Sequence, residues 1–193
     1  MSVSYDISFK GIGHDYSGEY VCLSEANCIY GAVMVKYCSH CGDIVSQYST
    51  QPNGHDFTGW SEENGFMVCR CNVCRYEKRI PCNEFFETPD DTAISDGFIG
   101  ITAGTSTDAL KNAVVYDKNG KLRTAHICTG NTVVFTVNDV EYAFTAAVSG
   151  DVNGDGKIDA KDYIALRRAI LGITTLDDAA KLAGDRNGDG KVN

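Results

Sequence analysis

The sequence predicts a multidomain chain of small modules: Cys/His repeats at the N-terminus, a small α+β domain in the centre, and an α-helical loop–helix module at the C-terminus. Three observations predict it. Eight of the nine cysteines fall within residues 1–83. Residues 98–149 hold several short strand-like runs, opened by the alternation of Phe98–Thr102 and separated by turn signals. Residues 150–193 carry the spacing Asp-x-Asn-x-Asp-Gly twice, with helical periodicity between the copies. The 193 residues, 43% hydrophobic and 22% charged, are ordinary for soluble globular material. A net charge of −9 argues against a nucleic-acid partner, because a phosphate backbone calls for clustered Lys and Arg. No run approaches the length of a membrane span, and Met1–Gly18 lacks the basic flank and apolar core of a signal peptide. With the second copy of the Asp-x-Asn-x-Asp-Gly spacing cut short at Asn193, this reads as a fragment missing sequence at both ends.

Residues 1–83 contain two segments that align, GHDYSGEYVCLSEANCIYGAVMVKYCSHCG from Gly13 and GHDFTGWSEENGFMVCRCNVCRYEKR from Gly54. Each opens on Gly-His-Asp-aromatic and closes on C-x-x-C, so two small units of one build are expected. Zinc takes four Cys or His ligands in a tetrahedron, and a C-x-x-C knuckle offers two thiolates from one tight turn. Gly42 follows the first knuckle, where such a turn favours it, and Arg75 stands in that place after the second. The segments resemble the zinc-ribbon-like Cys/His repeats of Gram-positive surface proteins. That resemblance implies a first site of Cys28, Cys38, Cys41 and His55. It implies a second site holding Cys71 and Cys74, completed from Cys69, Cys82 and His14, since nothing in the second repeat matches Cys28. Zinc is the reading favoured by thiols at this spacing with a matching His in each repeat, and a disulfide scaffold is the alternative. His40 is expected to be exposed. Cys22 and His14 do not make a catalytic pair, for no third residue orients the imidazole. Tyr16, Tyr20, Phe57 and Trp60 are expected in the core of the repeats, with contact to polysaccharide or cell wall as the competing role.

Residues 84–97, EFFETPDDTAISDG, are acidic and read as a linker with solvated Asp90, Asp91 and Asp96. In residues 98–149, strands are expected over Phe98–Thr102, Val114–Asp117, Leu122–Ile127, Thr132–Val137 and Glu141–Val148, and a helix over Ser106–Ala113. Asn119-Gly120 centres a hairpin turn. Cys128 is expected to pack as a small hydrophobe and His126 to be structural. Nothing here forms a nucleophile–base set or a phosphate loop, so the domain reads as a spacer.

Calcium takes six to eight oxygens, and a twelve-residue EF-hand loop supplies them at alternating positions around a Gly at the sixth. Counted from Asp151, the loop places Asp151, Asn153 and Asp155 at the first, third and fifth positions, Gly156 at the sixth, the Lys157 carbonyl at the seventh, Asp159 at the ninth and Asp162 at the twelfth. Asp185, Asn187, Asp189, Lys191 and Asn193 repeat the pattern through the ninth position. Helices are expected at about Tyr163–Leu171, stopped by Gly172, and at about Leu176–Leu182, opened by Thr175 and Asp178. No amphipathic helix enters the first loop, so the pattern is loop then helix, taken twice.

This arrangement, GDVNGDGKID…D with GDRNGDGKV, resembles a type I dockerin over residues 151–193. The resemblance implies calcium-dependent docking onto a cohesin domain of a scaffoldin, in a cellulosome- or amylosome-like assembly outside an anaerobic bacterium. It places Ala160, Lys161, Arg167 and Arg168 where dockerins carry partner-choosing contacts. Residues 98–149 are similar to the small α+β domains that precede dockerins. The function expected is that of a non-catalytic adaptor. The alternatives are the C-terminal piece of a dockerin-bearing carbohydrate-active enzyme or protease, or a glycan-binding surface protein.

Overall fold

The structure, a computed structural model, describes residues 13–192. These divide into two compact units, residues 13–58 with Arg70–Tyr76, and Gly59–Cys69 with residues 77–192.

The first unit is a three-stranded antiparallel sheet, β1 (Val21–Ser24), β2 (Val33–Tyr37) and β3 (Ile44–Ser49), in that order. Val35 of β2 pairs with Val21 on one side and Gln47 on the other. Val35 is fully buried with Ala32, Cys28, Cys38 and Cys71, and little else apolar is covered. Tyr16, Tyr20 and Phe57 are exposed, against expectation, because a sheet this small has no second layer to bury them under. Tyr20 and Tyr48 instead meet edge to face on the surface, with Lys36 over the Tyr20 ring. His40 is exposed, as expected.

The two knuckles share one backbone pattern. The Cys38 N–H donates to the Asp43 carbonyl and the Gly42 N–H to that of Cys38. Likewise the Cys71 N–H donates to Tyr76 and the Arg75 N–H back to Cys71. Gly42 has φ +79° and Arg75 φ +65°, so the arginine accepts the left-handed conformation that glycine adopts freely.

The second unit is built on a five-stranded sheet of order β7-β8-β11-β10-β9, with β7 Ala93–Ser95, β8 Phe98–Ile101, β9 Ala113–Tyr116, β10 Thr132–Val137 and β11 Val140–Val148. Only β8 and β11 run parallel. Asn138 and Asp139, both at positive φ, turn β10 into β11. A separate sheet holds β4 (Ser61–Glu63), β5 (Phe66–Arg70) and β6 (Glu77–Pro81), its first hairpin closed by Asn64-Gly65 at positive φ.

The core gathers Met67, Cys82, Phe86, Ile94, Ile99, Leu110, Ile127, Val133, Phe135 and Phe144, with Trp60 and Phe85 packed on it. Trp60 is thus the one of the four expected core aromatics that does enter a core. Residues 84–97 are not a free linker. They finish helix α1 (Cys82–Phe85), bury Phe86 and Ile94, and form β7, while Asp90, Asp91 and Asp96 remain exposed. Two phenylalanines and an isoleucine outweigh the acids, which need only face water. The expected boundary after residue 83 is therefore not where the structure divides, since Met67 and Cys82 belong to the central core.

Ser106–Ala113 makes only a 3-10 turn, Thr107–Ala109, because Asn112 at φ +55° ends any helix there; Leu110 still reaches the core. Leu122–Ile127 forms no strand, only isolated bridges at Leu122 and His126. Arg123 instead turns inward on this stretch, its Nε donating to the His126 carbonyl. Cys128 is buried as expected.

Helix α2 (Ala160–Ile170) opens on a capping box of Asp159 and Asp162 and ends before Gly172 at φ +69°. Helix α3 spans Asp178–Gly184, and its cap is Asp177, whose carboxylate accepts from the Ala180 N–H, not Thr175. Its buried face, Ala179, Ala180, Ala183 and Gly184, packs on β11 and β8. Small side chains let helix and sheet approach closely, and the Gly150 N–H donates to the Ala183 carbonyl.

Phe135, with no exposed surface and aromatic neighbours in Phe86 and Phe144, anchors this core. Phe135→Ala is expected to lower the unfolding free energy of the second unit by about 3–5 kcal/mol in a urea titration followed by circular dichroism.

Candidate functional site

The first Asp/Asn loop grows directly out of β11. Asp151 is 1% exposed, and its Oδ2 accepts the Thr129 N–H at 3.0 Å. The Gly156 N–H lies 3.3 Å from both carboxylate oxygens. Asn153 Oδ1 accepts from the Asp155 N–H at 2.7 Å, and Asp155 Oδ1 from the Lys157 N–H at 3.0 Å. Asp162 closes the loop, its Oδ1 taking the Asn153 N–H and its Oδ2 the Asp159 N–H. Gly156, at φ +81°, also passes so close to Cys128 that a Cβ would lie 2.7 Å from the sulfur. No other residue suits that position.

The second loop repeats the pattern one position at a time. The Gly190 N–H donates to Asp185, the Asp189 N–H to Asn187 and the Lys191 N–H to Asp189. Asp185 is half-buried, Asn187 and Asp189 are exposed, and Asn193 lies outside the described residues.

The Lys157 N–H and the Lys161 ammonium hold the Asp155 carboxyl below the usual carboxylate range. Asp151 and Asp162, at 1% and 4% exposure, have no Lys or Arg partner among the described residues. Burying carboxylates without a countercharge is costly, so the loop suits a cation, and an all-oxygen set suits a hard one. Asp151, Asn153, Asp155, the Lys157 carbonyl, Asp159 and Asp162 are the donors on offer. Asp159 has a second duty, capping α2 through the Lys161 N–H.

In the first unit, Cys28, His55, Cys71 and Cys74 have their ligand atoms within 4.8 Å of one another, and so do His14, Cys38 and Cys41. The grouping differs from the one expected: Cys28 and His55 join the second knuckle, and His14 joins the first. Cys69 and Cys82, candidates for the second site, are instead buried in the second unit. In both clusters a histidine Nδ1 lies 3.3 Å from the second cysteine of the knuckle, His14 on Cys41 and His55 on Cys74. His55 also stacks on Tyr76 at 4.8 Å.

The cysteines are free thiols. Cys28 and Cys71 stand 3.6 Å apart, far outside a covalent S–S bond. The Asp15 N–H, then those of Cys41 and His40, bring Cys38 down to about 5. The Cys74 N–H, His55 and the Val73 N–H bring Cys71 down to about 6 against its burial. Burial, with Cys71 and Cys74 alongside, pushes Cys28 up to about 11. Knuckle N–H groups thus favour the thiolate, the form that binds metal.

Comparison with known families bears on one segment. Residues 149–193 match the family described as Dockerin type I domain, and this segment is a type I dockerin domain. No curated protein and no solved structure matches the chain. No helix among the described residues is long and apolar enough to cross a membrane.

The Thr129 contact to Asp151 escaped the sequence because it joins residues 22 apart with no local signal. Asp162→Ala is expected to remove most of the calcium-induced rise in melting temperature, since it deletes both the twelfth donor and the acceptor for two loop N–H groups. Lys157→Ala should leave that rise unchanged, because its position supplies only a backbone carbonyl. Paired melting curves in calcium and in EGTA check both.

Proposed function

We propose that this chain is a non-catalytic extracellular adaptor, attached through residues 149–193 to a cohesin domain of a scaffoldin on an anaerobic bacterium, with calcium holding the docking module in shape. A type I dockerin domain implies a cohesin partner in a cellulosome-like assembly. The observation that supports the calcium requirement is the doubled loop, with one backbone hydrogen-bond pattern around Asp151 and again around Asp185.

When bound, calcium supplies the countercharge for Asp151 and Asp162 and so contributes folding free energy to a segment with little apolar core. The chain's own residues do the rest. Asp159 and Asp162 fix the start of α2 relative to the loop. That helix presents Ala160, Lys161, Arg167 and Arg168 to solvent, beside exposed Tyr163, Ile164, Ile170 and Leu171. Apolar and aromatic side chains bordered by arginines have the composition of a protein-binding surface. Lys161 is only partly free for a partner, since its ammonium lies 3.5 Å from Asp155.

Calorimetric titration of the whole chain against a panel of cohesins tests the reading. Binding is expected in calcium and lost in EGTA. Asp151→Ala removes a direct oxygen ligand, so it should weaken calcium binding by more than the roughly 10–100-fold that loss of an outer-shell contact costs. Full cohesin binding by Asp151→Ala, or binding that persists in EGTA, would overturn the mechanism.

A further inference from the structure

We infer that Cys28, His55, Cys71 and Cys74 form one tetrahedral zinc site that staples the two Cys/His repeats together, with Cys28 lent by the first repeat to the site of the second. Four ligand atoms within 4.8 Å of one another, three sulfurs and one imidazole nitrogen, make the Cys₃His set of structural zinc. They come from three separate stretches: the β1–β2 connection, the segment after β3, and the knuckle at 71–74. Arg70–Tyr76 belongs to the first unit although Gly59–Cys69 does not, and within that unit Cys71 lies against Cys28 with Cys74 against His55.

The equivalence of the two repeats sets the rule. Each knuckle takes the histidine of its own repeat at the same 3.3 Å to the same second cysteine. Cys28 precedes both knuckles in sequence, yet it passes over the nearer one and sides with the later. The second repeat has no counterpart of Cys28, and none is needed for a site that draws this ligand from the repeat before it. His14, Cys38 and Cys41 form the same site one ligand short among the described residues.

The energetic case is the thinness of the alternative. The unit buries Val35, Ala32 and three cysteines, and leaves Tyr16, Leu23, Ile29 and Tyr30 more than half exposed. A core that small does not hold a fold by apolar burial, and structural zinc binding is itself folding free energy.

The test uses the full chain, purified without reducing agent, with zinc measured by mass spectrometry beside a free-thiol titration, and cobalt(II) as the spectroscopic probe. The native chain should hold a tightly bound zinc and give the intense absorption of tetrahedral thiolate-bound cobalt. Cys28→Ser and Cys71→Ser should each abolish that tight site, whereas Cys38→Ser should leave it. Cys28→His keeps a ligand and guards against simple misfolding. It should retain the metal, while the thiolate-to-cobalt absorption of that site falls to about two thirds, one of three thiolates having gone. Loss of the tight site in Cys38→Ser with retention in Cys71→Ser would overturn the ligand set. Metal-free protein with its thiols oxidised would overturn zinc altogether.

Discussion

The carboxylate of Asp151 is the point on which the second unit turns. It sits at the end of the longest strand, almost wholly buried, between the N–H of Thr129 and the N–H of Gly156. Thr129 is itself buried, its hydroxyl joined to both the N–H and the carbonyl of Val148. One acid thus ties the turn before β10 to the Asp/Asn loop that follows β11. A buried carboxylate tolerates such a place only when hydrogen bonds and a countercharge meet it. The turn at Thr129, itself bonded to β11, supplies one of the hydrogen bonds, and the loop gathers the oxygens that would attract a cation. The alanine face of α3 completes the joint by lying on β11 and β8.

The two units reach stability by different means. The second has a conventional core in which Phe86, Phe135 and Phe144 meet at centroid distances of 4.7, 5.4 and 6.1 Å. The first has cysteine sulfur where such a core would be. This is a common resort of domains too small to bury much surface. The contrast explains why the second repeat is divided: its strands β4 to β6 contribute Met67 to an apolar cluster, while its knuckle contributes Cys71 and Cys74 to a sulfur cluster.

Local patterns were legible and long-range ones were not. The Asp-x-Asn-x-Asp-Gly spacing foretold the loops because each donor is fixed by a hydrogen bond to a residue two to nine positions away. Both C-terminal helices were read within a few residues, although Asp177 took the capping role expected of Thr175. β10 and β11 followed from alternation and a polar turn. The stretch 84–97 was misread because its acids are conspicuous and its two phenylalanines are adjacent, without the alternation that marks a strand or the spacing that marks a helix. Cys28, Cys38, Cys41, His55, Cys71, Cys74 and His14 lie in clusters while the candidates Cys69 and Cys82 do not, and the partition depends on which strands neighbour one another, which knuckle spacing does not carry.

The sheet's mixed pairing governs how the chain would bear load. A pull on the dockerin segment enters the sheet at the C-terminal end of β11, along the axis of that strand. β11 is bonded to β8 on one side and β10 on the other, over registers running from Val140 to Val148. Tension in that direction shears many hydrogen bonds together and cannot peel them apart in sequence. An anchor drawn from an edge strand would unzip one bond at a time. Placing the exit toward the C-terminal segment on an inner strand therefore gives that junction a shear geometry, the mechanically stronger of the two.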